Sequence, residues 1–148
     1  MQRDIKLKNC QIYDDNGEPI LGTLEGSAVL RVTYTDVNRL QKGPLQTIDD
    51  WYIEITLTVS AVNAELKYYC VEQLTAGKTP TLPMLIGESL DKETGNAERI
   101  RFTDIVLNPE ELTLWQANAS GSENATYQIR GRSNKKPDFL DKLPEYTE

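Results

Sequence analysis

Pairs of adjacent carboxylates are the residues of this sequence that could most readily do chemistry. The pairs are Asp14–Asp15, Asp49–Asp50 and Glu110–Glu111. Two carboxylates that face each other across a cleft can hydrolyse a glycosidic bond. Each of these pairs falls in a predicted turn or loop, where carboxylates are usually solvated. The sequence contains no histidine, so the commonest general base near neutral pH and the commonest metal ligand are both missing. We therefore predict that the protein is not an enzyme.

The two cysteines do not indicate a metal site. Cys10 and Cys70 lie in unrelated segments, and neither belongs to a CxxC pair. A zinc site needs clustered ligands, so we expect two reduced, buried thiols. The sequence also lacks the GxSxG, P-loop, GxGxxG and HExxH motifs. No cofactor and no metal are predicted.

Composition predicts one folded domain over residues 1–148. Of the 148 residues, 39% are hydrophobic and 26% are charged, which is typical of a globular chain. The net charge is −7, whereas a sequence-independent nucleic-acid binder needs a basic patch. The one basic cluster, between Arg130 and Lys136, is better explained as part of a solvated C-terminal extension at about residues 133–148.

The sequence pattern predicts no membrane-spanning segment. No apolar run approaches the ~20 residues of a transmembrane helix, and "MQRDIKLKNC" has no apolar core of an export signal. We therefore expect no membrane anchoring, and a chain that stays in the cytosol where it is made or leaves it by a route other than Sec export.

A long alternating segment begins at Trp51 and continues to about Val62. Its apolar residues alternate with polar ones, which predicts a strand with one core face and one polar face. The polar residues are Tyr52, Glu54, Thr56, Thr58 and Ser60. At roughly 3.3 Å per residue such a strand would span on the order of 40 Å.

The remaining pattern predicts about seven strands and one helix at about residues 64–76. Turn signals at regular spacing favour a mainly β fold, a two-sheet β-sandwich or partly closed barrel with the helix on its flank. The segment "TDVNRLQKGPLQTIDD" has no sustained period, so we predict a long interaction loop at about residues 35–50. Leu112–Ala117 is predicted to be a strand that turns Trp115 into the core.

The segment from Ser60 to Leu143 resembles the tail tube protein of contractile-tailed bacteriophages and phage-like bacteriocin particles, which is related to type VI secretion tube proteins. The resemblance is carried by "VSAVNAELKYYCVEQLTAGKTP", a long strand leading into a helix, by the strand "TLPMLIGESLD", and by "AERIRFTDIVLNPEELTLWQA". A final strand then enters the tail "KKPDFLDKL". The match covers a little over half of the chain.

This resemblance implies a two-sheet sandwich that assembles as hexameric rings, stacked into a tube inside a contractile sheath. It implies a virion location in the tail after assembly in the host bacterial cytoplasm. The implied partners are the tail sheath protein, a baseplate protein or tube initiator, and the tape measure protein and DNA in the lumen.

Three groups of residues are candidates for assembly contacts. The polar face Tyr52, Glu54, Thr56, Thr58 and Ser60 contains no lysine or arginine, so it could line a lumen that repels DNA phosphates. The alternative is an outer sheet face against sheath or solvent. The resemblance implies that the loop and the chain ends join successive rings. The candidates there are Asp36, Arg39, Lys42, Asp49 and Asp50 in the loop, and Phe139, Leu140 and Leu143 near the C-terminus.

Two other functions remain open from the sequence. One is another ring-forming tail component of the same fold, such as a tube initiator, a baseplate protein or a tail terminator. The other is a small β-sandwich module that binds a ligand such as a sugar through Trp51 or Trp115. Core packing of both tryptophans is favoured over a sugar platform, because both fall on the apolar face of a predicted strand.

Overall fold

Strands dominate the part of the chain that the computed structural model describes, which comprises residues 10–13, 23–39, 43–62, 64–121 and 123–142. The elements are β1 (Cys10–Tyr13), β2 (Thr23–Arg39), β3 (Gly43–Ser60), α1 (Glu65–Thr75), β4 (Thr81–Leu90), β5 (Ala97–Leu107), β6 (Thr126–Ser133) and β7 (Asp138–Asp141). The prediction of a mainly β fold with one helix is confirmed.

All seven strands belong to one antiparallel sheet with the order β1-β4-β5-β6-β3-β2, and β7 pairs with β5 off this path. The sheet ends at β1 and β2, so it is not closed into a barrel. Strands β5 and β6 meet over only two residue pairs, Val106 with Arg132 and Leu107 with Gly131. This short junction divides the sheet into two parts, β1-β4-β5 and β6-β3-β2.

Both parts of the sheet and the helix contribute to one core. Strand β3 supplies Ile53, Ile55, Leu57 and Val59, each no more than 4% exposed, while the intervening side chains are half-buried. The predicted alternation of β3 is therefore confirmed. The core also contains Leu85, Ile105, Leu107, Tyr127, Ile129 and Cys70.

Helix α1 lies against the core through Cys70, which is fully buried. Leu66 and Tyr69 pack beside it, and the Tyr69 hydroxyl donates a hydrogen bond of 3.1 Å to the carbonyl oxygen of Thr81 at the start of β4. Gly77 follows the helix with a φ of 75°, a left-handed conformation that glycine adopts at no steric cost.

Strand β5 changes the face that it buries at Asp104. Phe102 packs against the core before this residue, and Ile105 and Leu107 are buried after it. Strict alternation would send Phe102 and Ile105 to opposite faces. Asp104 has a φ of 51°, a left-handed conformation that interrupts the regular alternation of an extended strand, while pairing with β4 continues in one register. Strand β5 thus contributes core residues on both sides of Asp104.

The predicted loop at residues 35–50 is wrong, because its described residues, 35–39 and 43–50, extend two paired strands. Strand β2 continues to Arg39, β3 begins at Gly43, and the two pair in register from Tyr34 with Ile48 to Arg39 with Gly43. The segment lacks sequence periodicity because neither of its faces is buried. All of its described side chains are exposed.

The predicted strand Leu112–Ala117 is also wrong, since these residues have no regular structure. They form part of the connection between β5 and β6. Trp115 is 83% exposed, so its predicted core position is wrong, whereas Trp51 does pack against the core.

Candidate assembly interface

The polar face of β3 lies on the side of the sheet opposite the core. Its neighbours are set by the register: Tyr52 pairs with Arg31 of β2, and Glu54 pairs with Arg132 of β6. The five residues proposed for a lumen are brought together on this face and are each half-buried: Tyr52, Glu54, Thr56, Thr58 and Ser60.

Arginines from the flanking strands lie beside the polar residues of β3. The Arg31 Nε donates to the Glu54 Oε2 at 3.0 Å. The guanidinium carbon of Arg132 lies 3.6 Å from the centroid of the Tyr52 ring, which is a cation–π contact. The Arg132 Nε is buried and has no hydrogen-bond partner among the described residues, so stacking on Tyr52 is its main compensation.

The charge of the whole face differs from that of β3 alone. Strand β3 contributes no lysine or arginine between Tyr52 and Ser60, but the flanking strands place Arg31, Arg130 and Arg132 on the same face by register. Over the span from Tyr52 to Ser60, the acidic residues of this face are Glu25 and Glu54. Three positive against two negative charges make this surface of one chain mixed, not acidic.

The β2–β3 hairpin presents a second surface, which is apolar and exposed. Its large apolar side chains are between 42% and 67% exposed: Tyr34, Val37, Leu45 and Ile48. Strand β2 ends the sheet in the described chain, so its outer edge is open to strand pairing. Exposed edges of this length are otherwise an aggregation risk, which indicates a partner.

Four of the five loop residues predicted for ring-to-ring contact fall on this hairpin. Asp36 is exposed on β2, and Asp49 and Asp50 are exposed on β3. Arg39 is the last residue of β2, and Lys42 lies outside the described residues.

A third surface is formed by the C-terminal strand. Phe139 and Leu140 on β7 are 51% and 43% exposed, and the third predicted residue, Leu143, lies outside the described residues. On the neighbouring strand β5, a hydrogen bond to Glu88 and, to a smaller extent, one to Asp141 raise the pKa of Arg99.

Sequence reasoning missed a fourth surface, beside α1. A cavity of about 150 Å³ lies between the helix and the β5–β6 connection, lined by residues including Lys67, Leu114, Trp115 and Tyr127. The Lys67 Nζ donates to the Leu114 carbonyl oxygen at 3.4 Å and lies 5.6 Å from the Tyr127 ring centroid. The turn-forming residues Asn118 to Asn124 after Trp115 are the one sequence signal for this irregular connection.

Two buried groups in this region have shifted ionisation. Burial raises the pKa of the Cys70 thiol. Burial also raises the pKa of Tyr127, which a hydrogen bond from the Lys67 backbone partly offsets. Within residues 10–142, so far as they are described, no group of three or more potential ligands could hold a metal ion. Over the same residues, no helix has the length and apolar character needed to span a bilayer.

No family model matches the chain, and no curated protein sequence matches it. Several solved structures do match the chain in fold. A chain of the anti-feeding prophage cap, the AFP tube terminating cap, matches with 12% identity and a TM-score of 0.69, over 96% of this chain and 94% of that chain.

Two matches come from an extracellular contractile injection system, PVC, in its extended state. A chain of its sheath–tube complex matches with 10% identity and a TM-score of 0.70, over 93% of this chain and 92% of that chain. A chain of its sheath/tube terminator matches with 12% identity and a TM-score of 0.69, over 95% and 99%. The chain therefore has the fold of tail-tube-related proteins of contractile injection systems.

Proposed function

We propose that this chain is a structural tail tube subunit, which assembles as hexameric rings stacked into a tube inside a contractile sheath. The observation that carries the proposal is the similarity in fold, over more than nine-tenths of both chains, to a chain of the PVC sheath–tube complex. The open β2 edge and the exposed hairpin supply the surfaces that such assembly needs.

Ring closure follows from the edges of the sheet. Strands β1 and β2 end the sheet in the described chain, and pairing of one copy's β2 edge with a neighbour would continue the sheet around a ring. A closed ring removes exposed edges. Self-association of this kind uses complementary surfaces of identical chains and needs no active site.

Ring stacking is assigned to the hairpin tip and the C-terminal segment. Val37 and Leu45 pair near the tip, beside Asp36, whereas Asp49 and Asp50 lie at the core end of the hairpin extension. Apolar exposure above 40% at both Val37 and Leu45 leaves area that a second ring can bury. Phe139 and Leu140 are the proposed contacts at the other end.

The polar face of β3 is the proposed lining of the channel, through which DNA is ejected or which punctures a membrane. Short hydroxyl side chains at Thr56, Thr58 and Ser60 give a smooth, hydrated wall. Its mixed charge would neither hold nor strongly repel phosphates, because opposite charges in contact cancel at the distance of a passing polyanion. The remaining partners are the sheath protein, a baseplate protein or tube initiator, and the tape measure protein.

A tube terminator is the second candidate. Two of the solved structures that match are a tube terminating cap and a sheath/tube terminator. A terminator would form one ring and no filament, so the two functions differ in the length of the assembly and in copy number per particle.

Negative-stain electron microscopy of the purified chain at increasing concentration tests the proposal. A tube subunit should form rings that lengthen into filaments, and a terminator should stop at single rings. Monodisperse monomers at high concentration, with sheath and baseplate partners present, would contradict both.

A matched pair of variants makes the test specific to the β2 edge region. Leu30→Lys puts a charge on β2 at a side chain that is 58% exposed, and it should abolish rings while the monomer stays folded. Val62→Lys adds the same charge at a side chain that is 89% exposed, outside β2 and beyond the end of β3, and should leave assembly unchanged.

A further inference from the structure

Strand β5 has an edge that the rest of the sheet leaves open. On one side it pairs with β4 from Ala97 to Val106. On its other side β6 pairs only with Val106 and Leu107. The first two-thirds of β5 would therefore present unpaired backbone groups in the middle of the molecule.

Strand β7 occupies that gap. At the end of β6, the Ser133 hydroxyl donates to the Thr103 carbonyl oxygen at 2.6 Å, and β7 then pairs with Arg99 to Arg101 of β5. The C-terminal segment thus follows the same edge of β5 in two steps, first as β6 and then as β7.

Charged contacts hold β7 at both of its ends. The Arg101 Nε and Nη2 both donate to the Asp138 Oδ2, at 3.2 and 2.8 Å. At the other end, the Arg99 Nη1 donates to the Asp141 Oδ2 at 2.8 Å, while its Nε donates to the Glu88 Oε2, also at 2.8 Å. Arg99 therefore connects three strands, β4, β5 and β7.

Little else holds β7 in place. All four of its residues are exposed, so it buries no core side chain. Exposed ion pairs are weak and are screened by salt, and three register positions supply few backbone hydrogen bonds. Such a strand is easily opened relative to the core strands.

We propose that β7 is a detachable guard strand, whose release opens the β5 edge to a strand from a second copy of this chain. The second copy is the partner that fits, because β2 presents a 17-residue strand at the end of the sheet. Pairing between two open edges requires only complementary backbone groups. In place, β7 covers the β5 edge and leaves for association the β1 and β2 edges and only its own four-residue edge. The proposal holds whether or not the chain forms rings.

Charge reversal across one ion pair tests this. Arg101→Glu and Asp138→Arg each break the pair, and the double variant restores it with reversed charges. Chymotrypsin cleavage after Phe139 and Leu140, followed by mass spectrometry, measures release of β7. In each single variant this cleavage should be at least about twofold faster than in wild type, since its rate follows the population of molecules in which β7 is detached. The double variant should return towards the wild-type rate.

Association is measured in parallel by sedimentation velocity over a concentration series. Both single variants should associate at lower concentration than wild type, and an excess of a synthetic peptide of residues 134–142 should reverse this by refilling the β5 edge. Wild type in high salt should show the same faster cleavage as the single variants.

Two controls separate release of β7 from general loosening. Cleavage after Trp115, which is 83% exposed, should not change, and Arg31→Glu, which breaks the distant Arg31–Glu54 pair, should leave cleavage at Phe139 unaltered. If Arg101→Glu does not fold, Asp138→Asn replaces it, since Asp138 is exposed. If cleavage is unchanged in both variants and in high salt, β7 is not a detachable strand. If cleavage is faster but association does not increase, release of β7 does not open the β5 edge to a second copy.

Discussion

Gly131 shows how a single hydrogen atom in place of a side chain allows the two parts of the sheet to join. A Cβ at this position would lie 2.9 Å from the Ile105 Cγ2, 3.1 Å from the Leu107 Cδ2 and 3.3 Å from the Val106 carbonyl oxygen. Ile105 and Leu107 are 0% and 1% exposed, so neither can move aside into solvent. Close approach of two backbones is a common reason for glycine within a strand.

Gly131→Ala should therefore destabilise the fold by about 1–3 kcal/mol, the usual cost of overpacking. Gly87→Ala is the matched control, because its Cβ would meet only the Phe102 Cε2 at an ordinary 3.8 Å. Urea unfolding of both variants measures the difference. Equal losses of stability would show that the β5–β6 junction has more room than the structure indicates.

Stability should fall at alkaline pH because of two buried groups. Burial raises the pKa of Cys70 above its ordinary 9.0 and that of Tyr127 above its ordinary 10.0. The unfolded chain then loses these protons at lower pH than the folded chain. Their contribution to stability is complete below pH 9 and is lost as pH rises through the folded-state pKa values.

Tyr127→Phe isolates one of these contributions. The variant should show a weaker fall in the free energy of unfolding than wild type between about pH 8 and pH 11, since it has no phenol to ionise. Urea titrations at several pH values provide the measurement. Parallel curves for the two proteins would mean that Tyr127 ionises equally in both states.

At the scale of elements, the hairpin beyond the core is a separate unit from the domain that bears it. The core side of β3 ends near Trp51, and no described side chain between Thr35 and Asp50 is buried. Only the pairing of β2 with β3 holds these residues in strands.

Replacing Thr35–Thr47 with an Asn-Gly turn between Tyr34 and Ile48 should change the stability of the domain by no more than about 1 kcal/mol, because the segment adds no burial. If the hairpin joins rings, filaments should disappear in electron micrographs while single rings persist. A large drop in melting temperature would show that the tip supports the fold.

The elements that could be predicted from sequence are those with one buried face. Residues 51–60 alternate because Ile53, Ile55, Leu57 and Val59 pack in the core, and α1 differs from its predicted bounds by one residue at each end. The hairpin could not be predicted, since periodicity reports burial and residues 35–50 bury neither face. The prediction for Trp115 failed for a different reason. Its short alternating run predicts a strand with a buried face, but the segment is irregular and does not pack against the core.

The candidate surfaces were predictable only in part. The composition of β3 indicates a polar face, but the charge of that face depends on Arg31 and Arg132, which are far away in sequence and arrive through strand pairing. The β7 ion pairs likewise join residues about 40 positions apart. Long-range register of this kind leaves no signal in a single sequence.

For the whole molecule, the channel hypothesis depends on the polar face and can be tested at Glu54. Glu54→Lys breaks the contact with Arg31 and places a third cation beside Arg31 and Arg132. Loss of one partly exposed pair should cost about 1 kcal/mol or less, so the chain should still fold, as urea unfolding will show. If this face lines the channel, an infectious particle carrying the variant should eject DNA more slowly, because added positive charge holds phosphates.

The exchange variant Arg31→Glu with Glu54→Lys is the control, since it restores the pair and the net charge of the face. Ejection kinetics that are the same for Glu54→Lys and wild type would place this face elsewhere in the particle, against sheath or solvent.

The position of β6 in the chain also has a consequence for synthesis. Among the described strands, β6 alone joins the β2–β3 hairpin to the β4–β5 hairpin, and it begins only at Thr126. The local hairpins β2–β3 and β4–β5 can form early, whereas contacts between distant segments form slowly. Until β6 leaves the ribosome, the apolar faces of both hairpins stay uncovered. A nascent chain stalled before Thr126 should therefore bind chaperones and be degraded quickly by protease, and protection should arrive in one step when β6 emerges.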